Sequence, residues 1–561
     1  MAAGRRGEGG SDDEDEASSD TGEIDAGQSR QLTGAGLAGS ARGADPDRIT
    51  DADLGAAPAG DPDRIDADDV DPADMDEPRL IDAELVEAPL DPELTAEPVP
   101  DASPLHPRPS LFGRLSGTGQ ARGREIWSLA LPIMMSQVLV SAVGLIDIAM
   151  VGRLGAAEVA AVGYATQLHF MAQSALFAIG FACVALMARA IGGGNPARAR
   201  AALAASLAVA LTTASAVAAI ALLAPRAVLE WLNATPEVAE LTIPYMRLLF
   251  ASSLLLSISL TLEHGLRANR DTRTPMRIAV AVTAAKTVLN TLLIFGLFGA
   301  PRLGIVGAGI ATLISQIIAL GAFLWVIRRQ PAGGPVALGI ADFAPGRRYL
   351  REVVRVAMPG VGERVVLNLA LLDYFALLGG YGTVAIAAYT VGVRILAFSW
   401  IPGTGFGAAT ATLVGQQLGA GDPDGAERTG WLAARIAFVT AIALGLVGAL
   451  AREPLARLFT TDAATVEMLG PFMLMLALAQ PMMQVHFALG GAHRGAGDTW
   501  TPLFAAAMGN WGFRVPVATL AATMGAPLIW VWLALVLDHA ARMIFLGIAF
   551  ARGGWKRRGP K

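Results

Sequence analysis

Four carboxylic acids lie inside long apolar stretches of this 561-residue sequence, namely Asp147, Glu363, Asp373 and Asp538. A charge in a membrane interior costs about 2.5–3.5 kcal/mol on insertion scales, so each is a candidate for binding a proton or a metal cation. Asp538 is four residues before Arg542, which is the spacing of an ion pair along one helix, and we expect that pair to be structural. The other three acids are the candidates for function.

Asp147 is the strongest of these candidates. It follows Pro132 by 15 residues, which is about 22 Å along a helix. A proline inside a helix removes one backbone hydrogen bond, so the helix can bend at Pro132 when the carboxyl group changes its charge. The structural alternative is an ion pair between Asp147 and Arg153 at the helix end. We therefore predict that Asp147 binds the coupling ion, either H⁺ or Na⁺.

Glu363 and Asp373 lie on one predicted helix of the second half. Glu363 is followed directly by Arg364, so a structural ion pair and a substrate contact are both open. Asp373 has no base near it in sequence and could attract a cationic substrate. With its neighbour Tyr374 and with Gln137, these two acids are our candidates for lining a substrate cavity.

Other chemistries lack their sequence patterns. The six histidines do not have metal-ligand spacing, and Cys183 is the only cysteine, which excludes an intramolecular disulfide. The sequence contains neither a P-loop nor a catalytic cluster of His, Asp and Ser. We expect no enzymatic activity and no cofactor, and we expect an ion gradient to supply the energy.

The composition indicates where these acids lie. The chain is 53% hydrophobic with a mean hydropathy of +0.48. Residues 1–120 hold 29 acids and 9 arginines, whereas residues 121–561 hold 20 acids and 34 bases. This excludes a soluble enzyme and indicates a polytopic membrane protein behind an acidic tail that cannot bury a core.

Apolar segments long enough to cross a bilayer occur twelve times after residue 121. Arginine is sparse in the connections after odd-numbered segments and abundant after even-numbered ones and at the C-terminus. By the positive-inside rule, both termini are cytoplasmic, in agreement with an even number of spans. The predicted spans are 126–151, 158–189, 199–224, 237–264, 273–299, 303–327, 352–379, 384–416, 427–450, 464–491, 500–523 and 526–550.

The two halves repeat at an offset of 227 residues. Leu129-Ala130-Leu131-Pro132 returns as Val356-Ala357-Met358-Pro359, and Gly192-Gly193-Gly194-Asn195-Pro196 returns as Gly419-Ala420-Gly421-Asp422-Pro423. The pattern of Arg267, Asp271-Thr272 and Pro275 returns at Arg494, Asp498-Thr499 and Pro502. Because each repeat holds six spans, the halves have the same topology and are parallel repeats around a central cleft. That architecture is typical of alternating-access transporters.

The same segments resemble the multidrug and toxic compound extrusion (MATE) family across residues 125–555. The matching pieces are Asp147-Ile148-Ala149-Met150-Val151-Gly152-Arg153-Leu154-Gly155, Leu413-Val414-Gly415-Gln416-Gln417-Leu418-Gly419-Ala420-Gly421 and Arg494-Gly495-Ala496-Gly497-Asp498-Thr499. The resemblance implies an antiporter of 6+6 helices that exports amphipathic, often cationic compounds in exchange for H⁺ or Na⁺. It also implies that the acid matched by Asp147 binds the ion.

The resemblance is closer to the DinF-like branch of that family, which surrounds this acid with polar side chains. Asn290, Thr312 and Tyr245 match its asparagine, threonine and tyrosine. The second acid that this branch often carries is Ile294 here, so a site with two carboxylates is in doubt and Asp147 is expected to act alone.

We therefore predict an all-α polytopic membrane protein of twelve transmembrane helices in two parallel six-helix repeats. It would be a monomeric antiporter in the plasma (inner) membrane, with a small organic substrate and the lipid bilayer as partners and no nucleic acid. The alternatives are a lipid-linked glycan flippase of the same broader superfamily, disfavoured because bases inside the spans are few, and a non-transport membrane scaffold. The predicted domains are an acidic disordered tail 1–120, an N-lobe 121–328, a cytoplasmic linker 329–350, a C-lobe 351–555 and a basic tail 556–561.

Overall fold

The computed structural model describes residues 119–557, in which every regular element is helical. The predicted acidic tail lies outside the described residues apart from its last two positions, and so do the last four residues of the chain. Twelve helices correspond to the predicted spans. They are α1 (Gly119–Val151), α2 (Ala156–Gly192), α3 (Pro196–Leu223), α4 (Pro236–Ala268), α5 (Arg273–Phe295), α6 (Gly304–Arg328), α7 (Leu350–Leu378), α8 (Thr383–Gly419), α9 (Pro423–Leu450), α10 (Ala463–Gly495), α11 (Trp500–Ala507, Met508–Arg514 and Val515–Thr523) and α12 (Leu528–Ala551).

Ten of these helices are long and apolar enough to cross a membrane on composition alone. The other two are α7, which carries charged residues along its length, and α11, which widens to a π-helix over Met508–Arg514. The predicted ends agree with most helices to within a few residues, because apolar length and flanking Gly, Pro and Asn mark them locally. The fold class of two six-helix repeats is confirmed.

Helix capping shows the repeat at the level of single atoms. Asn195 accepts a hydrogen bond from the backbone N–H of Arg198 at 2.8 Å, and Asp422, its counterpart, accepts one from Gly425 at 2.8 Å. Each cap is followed by a proline at the first helical position of α3 or α9. A side-chain cap and a proline together favour helix initiation at that residue.

Small residues bring the helices of the second repeat into close contact. A side chain at Gly491 of α10 would meet the carbonyl oxygen of Gly407 on α8 at 2.1 Å, and one at Gly495 would meet that of Ala411 at 2.2 Å. Membrane helices associate through such close packing because lipid offers no hydrophobic drive between them. Larger residues at these positions would separate α8 from α10.

The two repeats meet at one end of the bundle, which we call the closed end and define by Arg189, Gly192, Gln416 and Gly419. A Cβ on Gly192 would lie 1.9 Å from the carbonyl oxygen of Gln416, and one on Gly419 would lie 2.1 Å from that of Arg189. The two contacts are exchanged by the 227-residue offset, so the repeats are related here by a pseudo-twofold axis. Gln416 also donates to the carbonyl oxygen of Ala268 at 2.7 Å.

Both ends of the described chain lie near the closed end. Glu125 in the first turns of α1 pairs with Arg270 at 2.5 Å, and Arg270 also donates to Gln416. Lys556, after α12, pairs with Glu427 in the first turns of α9 at 2.7 Å. An even number of spans requires this arrangement.

The predicted linker 329–350 packs against α3 instead of running free. Arg200 on α3 pairs with Asp342 at 3.0 Å and donates to the carbonyl oxygens of Gly333 and Gly334 at 2.8 and 3.0 Å. A short helix, Phe343–Gly346, follows and leads into α7. The connection between the repeats is therefore ordered at its contact with the first repeat.

Candidate functional site

The carboxylate of Asp147 forms a three-residue polar site with two side chains of α5. Its Oδ2 accepts a hydrogen bond from Lys286 Nζ at 2.6 Å, and its Oδ1 accepts one from Asn290 Nδ2 at 2.5 Å. Lys286 and Asn290 are four residues apart and so share one face of α5. The side chains of Asp147 and Lys286 keep 24% and 19% of their surface exposed. The site is thus a partly accessible ion pair.

Lys286 is the functional candidate that the sequence analysis missed. We expected Asp147 either to act alone or to pair with Arg153, but within residues 119–557 its ion pair is with Lys286. The available signal was that Lys286 is the only lysine within the spans and precedes Asn290 by one helical turn. Without the packing of α5 against α1, that spacing does not identify its partner.

The other predicted members of this site are near it but make different contacts. Tyr245 is buried with Val151 and Ile294 in one apolar cluster. Because Ile294 is fully buried there, an acid at its position would have been placed among apolar side chains. Thr312 donates to the backbone oxygen of Ala308 at 2.9 Å. Of the three predicted partners, Asn290 is the one that hydrogen-bonds Asp147 in the described structure.

Pro132 is buried within an uninterrupted α1. A proline leaves the carbonyl oxygen four residues earlier without its helical donor, which here is that of Ser128. The hydroxyl of Thr272, in the connection between α4 and α5, donates a hydrogen bond to this oxygen at 3.5 Å. The hydroxyl of Ser136 donates to the carbonyl oxygen of Pro132 at 2.9 Å. The Thr272 hydroxyl thus stands in for the backbone donor that Pro132 lacks, at the point where α1 could bend.

A second polar group lies in the second repeat. Glu363 accepts from Arg494 Nη2 at 2.6 and 2.8 Å, so its ion-pair partner is on α10 and is not the adjacent Arg364, the pairing that the sequence had left open. The predicted pair between Asp538 and Arg542 is present, with hydrogen bonds of 2.5 and 2.9 Å.

The remaining cavity candidates differ in exposure. Asp373 is exposed, and Gln137 is half-buried. Tyr374 is 1% exposed and its hydroxyl donates to the carbonyl oxygen of Val531 at 2.6 Å. Tyr374 therefore belongs to the aromatic core of the second repeat, where its ring lies 5.3 Å from that of Tyr389.

Two histidines that lie 53 residues apart in sequence form a stacked pair in the same repeat. His486 Nε2 and His539 Nδ1 are 3.0 Å apart, and their rings are nearly parallel at 5.1 Å. We did not predict this contact, because no spacing along the chain indicates it. Both rings are buried beside Arg542 and Asp538.

Known proteins resemble this chain in both repeats. The MatE family model matches residues 132–292 and 362–520, one match in each repeat. A probable multidrug resistance protein NorM of Thermotoga maritima is 28% identical over 78% of this chain and 93% of its own length. One from Bradyrhizobium diazoefficiens is 32% identical over 73% of this chain and 89% of its own length.

The fold is also that of a solved transporter. A crystal structure of an aspartate-to-asparagine mutant of the Vibrio cholerae MATE transporter VcmN superposes with a TM-score of 0.72 at 18% identity, covering 77% of this chain and 97% of that one. Two matched repeats, relatives aligned over most of their length and the shared fold agree with one another. The chain belongs to the MATE family of membrane transporters.

Proposed function

We propose that this protein is a secondary active antiporter that exports amphipathic organic compounds in exchange for H⁺, with Asp147 as the proton-binding group. The observation that carries the proposal is the contact of the Asp147 carboxylate with Lys286 and Asn290 in a partly exposed site. The NorM relatives are named as probable multidrug resistance proteins, and for this chain we propose export of such compounds.

The ion pair supports a simple coupling step. While Asp147 is ionised, it holds α1 to α5 through Lys286. A proton on the carboxylate removes its charge and leaves the ammonium group without its counter-ion, which weakens this link between the helices. The freed α1 bends at Pro132, where the Thr272 hydroxyl stands in for a missing backbone donor. Bending narrows the cleft between the repeats and expels the substrate.

The same geometry favours H⁺ over Na⁺ as the coupling ion. A sodium ion needs oxygen ligands, but the ammonium of Lys286 occupies one carboxylate oxygen and has only donors to offer. Asn290 likewise presents its NH₂ group to the other oxygen. These residues do not form a sodium site while Lys286 is in place.

The arginine distribution supports a cytoplasmic closed end, with both termini on that side. On this orientation the cleft faces outward while Arg189 and Gly419 are in contact. We place the exposed carboxylate of Asp373 where the cationic part of a substrate would bind. We further propose that the protein transports its substrate as a monomer. The two moving parts would be the predicted N-lobe, residues 121–328, and the predicted C-lobe, residues 351–555.

Proteoliposomes test the coupling ion directly. With an acidic interior and no Na⁺, we expect the fluorescent amphipathic cation ethidium to accumulate inside, because protons leaving through the protein drive its entry. With a higher Na⁺ concentration inside and equal pH on both sides, ethidium uptake is expected to be no greater than that of protein-free liposomes. Accumulation that requires Na⁺ and ignores the pH gradient would contradict the proposal.

Substitution of Lys286 by Gln is expected to change the ion response as well as the rate. The pH-driven uptake should fall about tenfold, because breaking a partly buried ion pair at one partner costs about 1.4 kcal/mol or more. Because the place beside Asp147 is then free for a cation, uptake should also begin to respond to Na⁺. The measurement is the same proteoliposome assay with each gradient in turn.

The matched control for this variant is Lys556→Gln, which makes the same change at a lysine bound to Glu427 outside the membrane spans. It should transport like the unmodified protein. If Lys286→Gln did so too, the ion pair would have no part in coupling.

A further inference from the structure

A small cavity inside the second repeat has a surplus of positive charge. It has a volume of about 100 Å³ and lies between α7, α8, α10, α11 and α12, with Phe181 of α2 in its wall. Its lining includes two carboxylates, Glu363 and Asp538, and two histidines, His486 and His539. Four guanidinium groups also line it, namely Arg364, Arg494, Arg514 and Arg542.

The two carboxylates are already used by two of the arginines. Arg494 donates to both oxygens of Glu363, and Arg542 donates to both oxygens of Asp538. Arg514 reaches the same Asp538 only at 3.9 Å. Two cationic groups therefore remain in excess within a membrane-embedded pocket, where an uncompensated charge is strongly disfavoured. A surplus of this sign indicates an anion as the natural occupant.

Three buried nitrogen atoms in the lining have no hydrogen-bond partner among residues 119–557. They are Nε1 of Trp400, Nε of Arg514 and Nε2 of His539, and the last two residues are only 3% and 4% exposed. The other ring nitrogen of His539 is occupied by its contact with His486. Buried polar atoms are nearly always hydrogen-bonded in folded proteins, so three unpaired nitrogen atoms in the lining of one cavity are typical of a binding site.

The backbone of α11 also indicates that Arg514 belongs to a binding site. Arg514 is the last residue of the π-helical segment Met508–Arg514. Such a widened turn is less stable than an α-helical turn and occurs frequently at functional sites. Arg514 is held in place by the ring of Tyr374, 4.5 Å from its guanidinium carbon, and by the hydroxyl of Tyr389 at 3.4 Å. The side chain is thus fixed before any ligand arrives.

We propose that this cavity binds the anionic group, a carboxylate or a phosphate, of the transported compound. A guanidinium presents parallel donors that match two oxygens of such a group. His539 Nε2 adds a third donor in the tautomer in which His539 Nδ1 accepts from His486. Phe181, Trp400 and Phe487 in the lining provide an apolar wall for the rest of an amphipathic molecule. The proposal rests on the proposed function in that the ligand is a substrate, and it widens the substrate class from cations to zwitterions and organic anions.

Calorimetric titration of the purified full-length protein in nanodiscs of zwitterionic lipid tests the site. Benzoate and phenyl phosphate are expected to bind saturably, whereas benzylamine and benzyl alcohol, which lack the anionic group, are not. Arg514→Gln should weaken binding about tenfold or more, because a charge-assisted hydrogen bond is lost. Arg394→Gln is the matched control, since Arg394 is an exposed arginine of α8 outside this lining.

The outcomes separate the possibilities. Failure of both anions to bind the unmodified protein, or equal binding by Arg514→Gln, would overturn the proposal. If Arg514→Gln does not fold, the half-buried Arg364→Gln takes its place with the same expectation. Loss of binding in nanodiscs containing phosphatidylglycerol would assign the cavity to a lipid headgroup instead. Because no gradient is applied, a failure here leaves proton coupling at Asp147 intact, and the converse also holds.

Discussion

Asp147→Asn is expected to abolish concentrative transport while leaving the protein folded. Asparagine has nearly the same shape and can still contact Lys286 and Asn290, but it cannot take up and release a proton. One charge crossing 100 mV is worth about 2.3 kcal/mol, which sustains about a 50-fold concentration ratio of a neutral compound exchanged for one proton. In proteoliposomes with an imposed proton gradient, that ratio should fall to one in the variant.

The control for this variant is Asp462→Asn. Asp462 caps α10 by accepting a hydrogen bond from the backbone N–H of Thr465 at 2.9 Å, and asparagine caps a helix as well as aspartate does. This variant should accumulate substrate normally. If Asp147→Asn also retained accumulation against a gradient, proton coupling would have to lie at another residue.

Gly419→Val is expected to prevent the closed end from forming. The added carbons would lie where the carbonyl oxygen of Arg189 already stands 2.1 Å from an ideal Cβ, and close-packed backbones do not yield without separating. The conformational equilibrium should therefore shift toward the state in which this end is open. Since alternating access needs both states, transport should fall at least about tenfold, which corresponds to about 1.4 kcal/mol of bias.

Spin labels measure this shift independently of transport. Labels at Ala197 and Arg428, two exposed positions near the closed end, should move apart in Gly419→Val, in a background where the single Cys183 is replaced by alanine. Gly163→Val places the same side chain at an exposed helical position with no neighbour within 4 Å and should change neither distance nor transport. Unchanged label distances in Gly419→Val would show that this contact does not keep the repeats together.

The closed end also connects the two proposals about function. Phe181, from the first repeat, is part of the wall of the cationic cavity in the second, and the guanidinium of Arg494 lies 5.2 Å from its ring. Separation of the repeats at Gly192 and Gly419 would remove that wall. An anionic group held in the cavity would therefore respond to the same motion that proton binding at Asp147 is proposed to drive.

The sequence alone was sufficient for features that depend on local or periodic information. Apolar length predicted the twelve spans, because a helix crossing a bilayer must satisfy its backbone internally and bury about 20 residues. The 227-residue offset predicted the two repeats, and the capping residues Asn195 and Asp422 recur at equivalent helix starts. The rarity of acids inside spans also selected Asp147 as the principal candidate.

Only the tertiary structure decided which charges on different helices meet. Lys286 lies 139 residues from Asp147, and Arg494 lies 131 residues from Glu363, so no spacing along one helix could pair them. The sequence showed only that bases inside the spans are few, yet four arginines from four helices converge on one cavity. The physical reason is that the rotation and crossing of packed helices, set by contacts such as Gly491 against Gly407, determine which faces point at one another.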